Sequence, residues 1–190
     1  MTTMSRPTGA SRWTYAEYAR LPNDGNRYEV IDGEVLVTPA PSTDHQYILF
    51  RLSVALGQYV ERERFGVVLP DVDVLFASGQ FLRPDLVVVP RSAREAVTSR
   101  GVDAPPALMV EILSPSSRSI DRVKKPRRYG EFGVPEYWVV DPEERCVWVW
   151  RFAAGATEPE RVENRVTWQP AGAAEVFEIT TGELFRPMWS

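Results

Sequence analysis

The hydrophobic positions of this chain follow two periods. Ile48, Leu49, Leu52, Leu56, Tyr59 and Val60 recur every three or four residues. That stripe predicts a helix with one buried face, capped by Ser42 and running to about Arg64. Elsewhere short apolar runs dominate. Arg27–Ile31 and Glu34–Thr38 read as strands about Asp32-Gly33, a pair suited to a tight hairpin turn. Residues 67–69 and 72–76 are short strand candidates, and residues 81–89 end in the wholly apolar Leu86-Val87-Val88-Val89. Residues 107–113 are apolar on both faces, as in a strand inside a covered sheet. Ser116 or Ser117 can cap a second helix that reaches about Phe132 and closes at Gly133, with a kink or late start at Pro126. Glu136–Asp141 and residues 146–152 suit another hairpin, rich in Val and Trp. A short helix at 14–20 comes earlier, and short strands are expected near 166–168 and 176–179. Together these predict an α/β fold, with α+β as the variant: a mixed central sheet flanked by helices.

Composition narrows the class. With 190 residues, 44% hydrophobic and 25% charged, the chain suits one globular domain over residues 13–190. Residues 1–12 are polar and read as a flexible tail without a signal-peptide core. No apolar run approaches a membrane span, so no membrane partner is expected. Cys146 is the only cysteine, which excludes an internal disulfide and cysteine-rich zinc sites and fits a reducing cytoplasm. The net charge of −4 does not favour non-specific nucleic-acid binding. Its distribution says more: Arg118, Arg122, Lys124, Lys125, Arg127 and Arg128 lie in one segment opposed only by Asp121, and such a segment can hold phosphates.

One residue breaks the apolar pattern. Glu111 puts a carboxylate in a strand that should be covered on both sides. An unpaired charge there costs several kcal/mol, so it needs a cation, a proton or a metal. Asp85 begins the other fully apolar strand. If the strands are neighbours, Asp85 and Glu111 converge on one hard ion such as Mg²⁺, with the Ile112 carbonyl as a further ligand. A bound ion acidifies water and offsets charge on a phosphate. Lys125 is the nearby ammonium. Asp121, Lys125 and Tyr129 recur at four-residue spacing and share one helix face. Asp121 reads either as a helix-start charge or as the partner of Lys125. Tyr129 reads as packing with a hydrogen bond, and His45 as a residue of a helix's first turn rather than a general base. Arg122, Lys124, Arg127 and Arg128 are candidate phosphate contacts.

These residues resemble the Uma-two family, whose members are restriction-endonuclease-like proteins of the PD-(D/E)XK nuclease superfamily. The resemblance rests on Pro84-Asp85, Glu111 at a strand centre, residues 121–126, Tyr129 and Gly133-Val134-Pro135-Glu136-Tyr137-Trp138. Residues 28–34 and 39–45 resemble the family's opening, and the likeness spans roughly residues 15–152. It implies a restriction-endonuclease-like fold and Mg²⁺-dependent hydrolysis of DNA, with Mn²⁺ as a substitute. Glu29, in the opening motif, would ligate metal or orient water; it could equally be the exposed side of a hairpin. One position departs from the superfamily pattern. Leu113 stands where a lysine is expected two residues after the acidic residue, and the resemblance implies that Lys125 supplies the ammonium instead, with Lys124 as runner-up.

Two other classes follow from the same residues. Leu113 and the acidic total charge suit a catalytically inactive nucleic-acid-binding module that keeps the fold. The Trp-rich strand at 146–152 suits a protein-interaction surface, its tryptophans reading as core or interface. A homodimer is expected for an enzyme that cuts both strands of a duplex.

Overall fold

The structure is a computed structural model that describes residues 2–5, 12–115 and 117–189. In chain order it begins with β1 (Thr2–Ser5), α1 (Tyr15–Tyr18), β2 (Arg27–Ile31), β3 (Glu34–Thr38) and the long helix α2 (Thr43–Arg62). Strands β4 (Gly66–Pro70), β5 (Val74–Phe76), β6 (Gln80–Leu82) and β7 (Leu86–Pro90) follow. After β8 (Val97–Thr98) and β9 (Gly101–Val102) comes β10 (Leu108–Ile112), then a helical segment ending in α3 (Lys125–Glu131). The hairpin β11 (Glu136–Asp141) and β12 (Cys146–Arg151) precedes β13 (Glu160–Val162), β14 (Arg165–Trp168), β15 (Phe177–Thr180) and α4 (Thr181–Leu184).

The central layer is a six-stranded mixed sheet in the order β13-β12-β11-β10-β7-β4. Only β10 and β11 pair parallel within it. One face packs on α2, whose Ile48, Leu49, Leu52, Leu56, Tyr59 and Val60 are all buried, as the stripe predicts. Leu108, Val110 and Ile112 of β10 point into that core, and the β14–β15 pair covers its end. The other face packs on a second, seven-stranded sheet in the order β1-β3-β2-β6-β5-β9-β8, and on Tyr129 of α3. The fold class matches the sequence reading. The second large sheet was not legible, because several of its strands are two or three residues long and carry no period.

Local chemistry explains the element ends. Asp32 and Gly33 both take positive φ, 56° and 79°, as the tight β2–β3 turn requires. Ser42 accepts the His45 amide and caps α2. Before α3 the chain runs as a π-helix over Ile120–Lys124, and the Lys125 amide bonds back five residues to the Ile120 carbonyl. Pro126, with no N–H to give, then sits in the first turn of α3, where the missing bond costs least.

Two expectations change. Residues 2–5 are not a loose tail but pair antiparallel with β3, because main-chain bonding to an open sheet edge needs no apolar pattern. Residues 1 and 6–11 of that tail lie outside the described residues. So does Ser116, one of the two candidate caps. The other, Ser117, takes its hydroxyl to Ser114 instead of capping the helix. Among the described residues no helix is long and apolar enough to cross a membrane.

Candidate active site

The β7–β10 ladder positions the site. Its last pair is Val110 opposite Leu86. One step further sets Glu111 opposite Asp85, on the same face, with Cβ atoms about 5 Å apart by strand geometry. The ladder stops there because Pro84 has no N–H to continue it. The Ile112 amide, just past the end of the ladder, donates to Asp85 Oδ2 at 2.7 Å, and the N–H that Pro84 lacks leaves the Ile112 carbonyl without a ladder donor. The proline-aspartate pair thus ends the strand pairing and turns the carboxylate toward the gap. Both side chains line a cavity of about 430 Å³ at this end of the sheet.

Lys125 reaches Glu111 from α3. Its ammonium lies 2.7 Å from Glu111 Oε1, 3.0 Å from Glu29 and 3.1 Å from Asp121 Oδ1. All four side chains are at most 4% exposed. The helix supplies Asp121, Lys125 and Tyr129 from one face, and the Tyr129 hydroxyl donates to Glu111 Oε1 at 3.2 Å. Glu29 comes from the other sheet and is fixed by the Arg83 amide at 2.9 Å. It is 3% exposed, so the hairpin-surface alternative is excluded. The Tyr137 hydroxyl donates to the Asp121 carbonyl and ties the π-helical turn to the sheet.

Three carboxylates facing one ammonium leave negative charge in surplus. Burial, with Asp121, Asp85 and Glu29 adding repulsion, pushes the Glu111 carboxyl well above its ordinary range against the pull of Lys125. Asp121 is raised mainly by burial as well. Burial would lower the Lys125 ammonium, but Asp121, Glu111 and Glu29 outweigh it and raise it well above normal. Asp85 behaves differently. Burial would raise it, yet the His45 bond and charge, Arg27 and the Ile112 amide hold it down to about 2. Arg27 lies 2.6 Å from Asp85 Oδ1, and His45 Nε2 lies 3.1 Å from Oδ2. His45 Nδ1 is buried with no partner among the described residues.

The donor set suits a hard divalent cation. Glu111 spends Oε1 on both of its bonds, which leaves Oε2 without a hydrogen bond among the described residues. No group of three His, Cys, Asp or Glu among the described residues forms a closed metal cage. Mg²⁺ does not ask for one: it takes one or two carboxylates and keeps several waters. Asp85, Glu111 and the Ile112 carbonyl are the groups that could hold it, and the surplus of carboxylate charge is what it would offset.

The basic segment disperses. Lys124 pairs with Glu34 at 2.9 Å on the surface, which removes it as an alternative to Lys125. Arg127 binds Glu131 at 3.0 Å, and Arg128 binds Glu131 and Asp32. Arg122 lies over the Trp148 ring, outside the cavity. Those four are not gathered at the carboxylates, because successive positions on a helix point around its whole circumference. Arg118 does line the cavity, where it bonds Asp141 at 2.7 Å. Arg27 is the site residue that the sequence does not reveal: it stands in a strand and carries no motif. Its one signal was an arginine two residues before Glu29, hence on the same face of β2. Pro70-Asp71 is a second proline-aspartate pair in the chain; it does not line the cavity, and Asp71 lies 3.2 Å from Arg27.

The family model for Uma2, described as "Putative restriction endonuclease", matches residues 15–182. The chain belongs to the Uma2 family. Among solved structures, a crystal structure of "a putative nuclease belonging to DUF820" from Anabaena variabilis superposes with a TM-score of 0.74. It is 23% identical, over 90% of this chain and 97% of that one, which is a likeness of fold. The "Uncharacterized protein sll1609" of Synechocystis is 25% identical over 114 residues. That match spans 59% of this chain and 64% of the relative's length. The family match, over residues 15–182, includes every site residue named above.

Proposed function

We propose that this Uma2 member hydrolyses phosphodiester bonds of DNA with Mg²⁺, and that Mn²⁺ substitutes. The observation that supports it is a buried lysine held by Glu29, Glu111 and Asp121 beside Asp85, at the open end of a sheet. Asp85, Glu111 and the Ile112 carbonyl would hold the ion. When bound, such an ion supplies Lewis acidity at the phosphate and makes water more acidic.

The chain's own side chains account for the rest. Lys125 keeps its proton, since its carboxylate neighbours raise its pKa. It therefore acts as a fixed positive charge against developing phosphate charge and not as a base. Glu29 and Asp121 anchor the ammonium from two sides, so its position does not depend on Glu111 alone. Arg27 and His45 keep Asp85 ionised and aimed at the cavity. Leu113, at the superfamily's usual lysine position, is buried in the apolar core. Only the place of the charge matters to the chemistry, and α3 delivers it from another backbone.

Plasmid cleavage with Mg²⁺ or Mn²⁺ tests this reading, with Mn²⁺ binding by calorimetry as a separate readout. Wild type should cut, while Lys125→Met and Asp85→Asn should cut at least about 100-fold more slowly, on the scale of lost electrostatic stabilisation. Asp85→Asn should also weaken Mn²⁺ binding. Equal cutting by wild type and Lys125→Met removes Lys125 from the mechanism. Salt-sensitive DNA binding without any cutting points to the inactive binding module.

A further inference from the structure

Beside the cavity runs a second depression that the reaction above does not use. It has a volume of about 1160 Å³ and shares Pro115 and Arg118 with the lining of the active-site cavity, so the two adjoin. Its floor is aromatic: Trp148, Trp150 and Phe152, at alternate positions of β12 and just past its end. Its wall is the helical segment, with Arg118 and Arg122 one turn apart.

The floor and wall meet at Trp148. The Arg122 guanidinium lies 4.1 Å from the Trp148 ring centroid, and Arg161 lies 5.6 Å from it. The indole N–H is shielded from water and has no acceptor among the described residues. Arg122 is also loosely held: its carboxylate partner Glu144 is 3.9 Å away, whereas Arg118 has Asp141 and Glu143 each at 2.7 Å. A planar cation lying on an indole, free of a tight ion pair and next to a phosphate-cleaving site, has the chemistry that receives a nucleobase. Bases stack on aromatic rings and on arginine planes, and they do so only when unpaired. A base pair keeps both faces inside its own stack.

Resting on the nuclease reading, we propose that this groove holds an unpaired nucleotide of the strand being cut, stacked at Arg122 and Trp148, so that the preferred substrate is single-stranded or locally melted nucleic acid. Arg118, at the junction of the two depressions, faces the phosphate between the stacked base and the scissile bond. Sequence preference is weak on this account, because every base has a stacking face.

The test is binding of a fluorescein-labelled oligo-dT and of the matching duplex to the full chain in EDTA, where no cutting occurs. Wild type should bind the single strand about ten-fold or more tightly than the duplex. Trp148→Leu should lose about ten-fold in single-strand affinity, in line with one stacked base, with little change for duplex. Arg122→Gln, on the helix surface, should lose single-strand affinity too and serves as the check should Trp148→Leu melt early. Duplex bound as tightly as single strand, or single-strand binding unchanged in Arg122→Gln, overturns the proposal. So does a wild type that binds neither, which would assign the groove to a protein partner. Cleavage assays keep the two readings apart. If Trp148→Leu and Arg122→Gln cut single and double strands as wild type does, the groove fails and the nuclease stands. If wild type binds the single strand through these residues but cuts nothing with Mg²⁺ or Mn²⁺, the nuclease fails and the groove stands.

Discussion

The two faces of β10 differ in what they ask of their surroundings. Leu108, Val110 and Ile112 face α2, in a hydrophobic core without a charged side chain among its clustered residues. Met109 and Leu113 face the second sheet, and Glu111 lies between them in the alternation. The first face is self-sufficient, since removal of its side chains from water is stabilisation enough. The second holds a carboxylate that is tolerable only because Lys125 and Tyr129 come from a helix and Asp121 and Glu29 fix the lysine. The candidate site lies on the face that needs help, at the end of the ladder where the sheet opens to a cavity.

Substitutions on each face separate the two kinds of stabilisation. Lys125→Met should have the largest effect. It leaves three buried carboxylates facing one another and should cost about 3–5 kcal/mol in urea unfolding. Adding Glu29→Gln and Asp121→Asn should restore most of that stability without restoring cleavage. If Lys125→Met is instead as stable as wild type, the polar face is not held by charge pairing. Leu108→Ala, on the apolar face, should cost about 3 kcal/mol by leaving a cavity, while cleavage per folded molecule stays at the wild-type rate. A loss of rate there would mean that the two faces are mechanically linked. Arg27→Gln should change stability less but weaken Mn²⁺ binding about ten-fold, because Asp85 loses the partner that aims Oδ1; unchanged calorimetry would make Arg27 a bystander.

The smallest effect belongs to the opposite end of the sheet, where Glu136 accepts the Trp138 indole N–H at 2.7 Å. Burial raises its pKa. The folded protein therefore holds that proton more tightly than the unfolded chain does. Its contribution favours folding below the ordinary glutamate range and is lost as pH rises through the shifted value. Glu136→Gln keeps an acceptor for the indole and removes the charge. It should raise Tm at pH 7 by about 1–2 °C and flatten the pH dependence above pH 4.5. A lower Tm would show that the charged carboxylate is the better partner.

Much of the site could be read from the chain. The conflict of Glu111 with its apolar surroundings, the proline before Asp85, and the spacing of Asp121, Lys125 and Tyr129 are local signals, and the structure brings those residues together. His45 was read as a residue of a helix's first turn, and it is one. That turn also places its ring on Asp85, which no spacing reveals. Arg27 is not legible as a site residue, and Arg118 is legible only as one member of a basic segment, for the same reason. Each acts through a partner far along the chain, Asp85 and Asp141, and an arginine in a strand or a basic segment looks the same whether or not such a partner waits for it. Trp148 reads from its alternation as core or interface; in the fold it is half-buried beneath an arginine.

The sequence by itself determined the elements: period and punctuation are written residue by residue, and local sterics enforce them. It also determined that a charge inside β10 needed an answer, because desolvation cost depends on the side chain's type more than on the route the chain takes. The tertiary structure alone decided which groups answer it. Ion pairs and cavities depend on distances in space, and those are set only when two sheets and a π-wound turn close on one another.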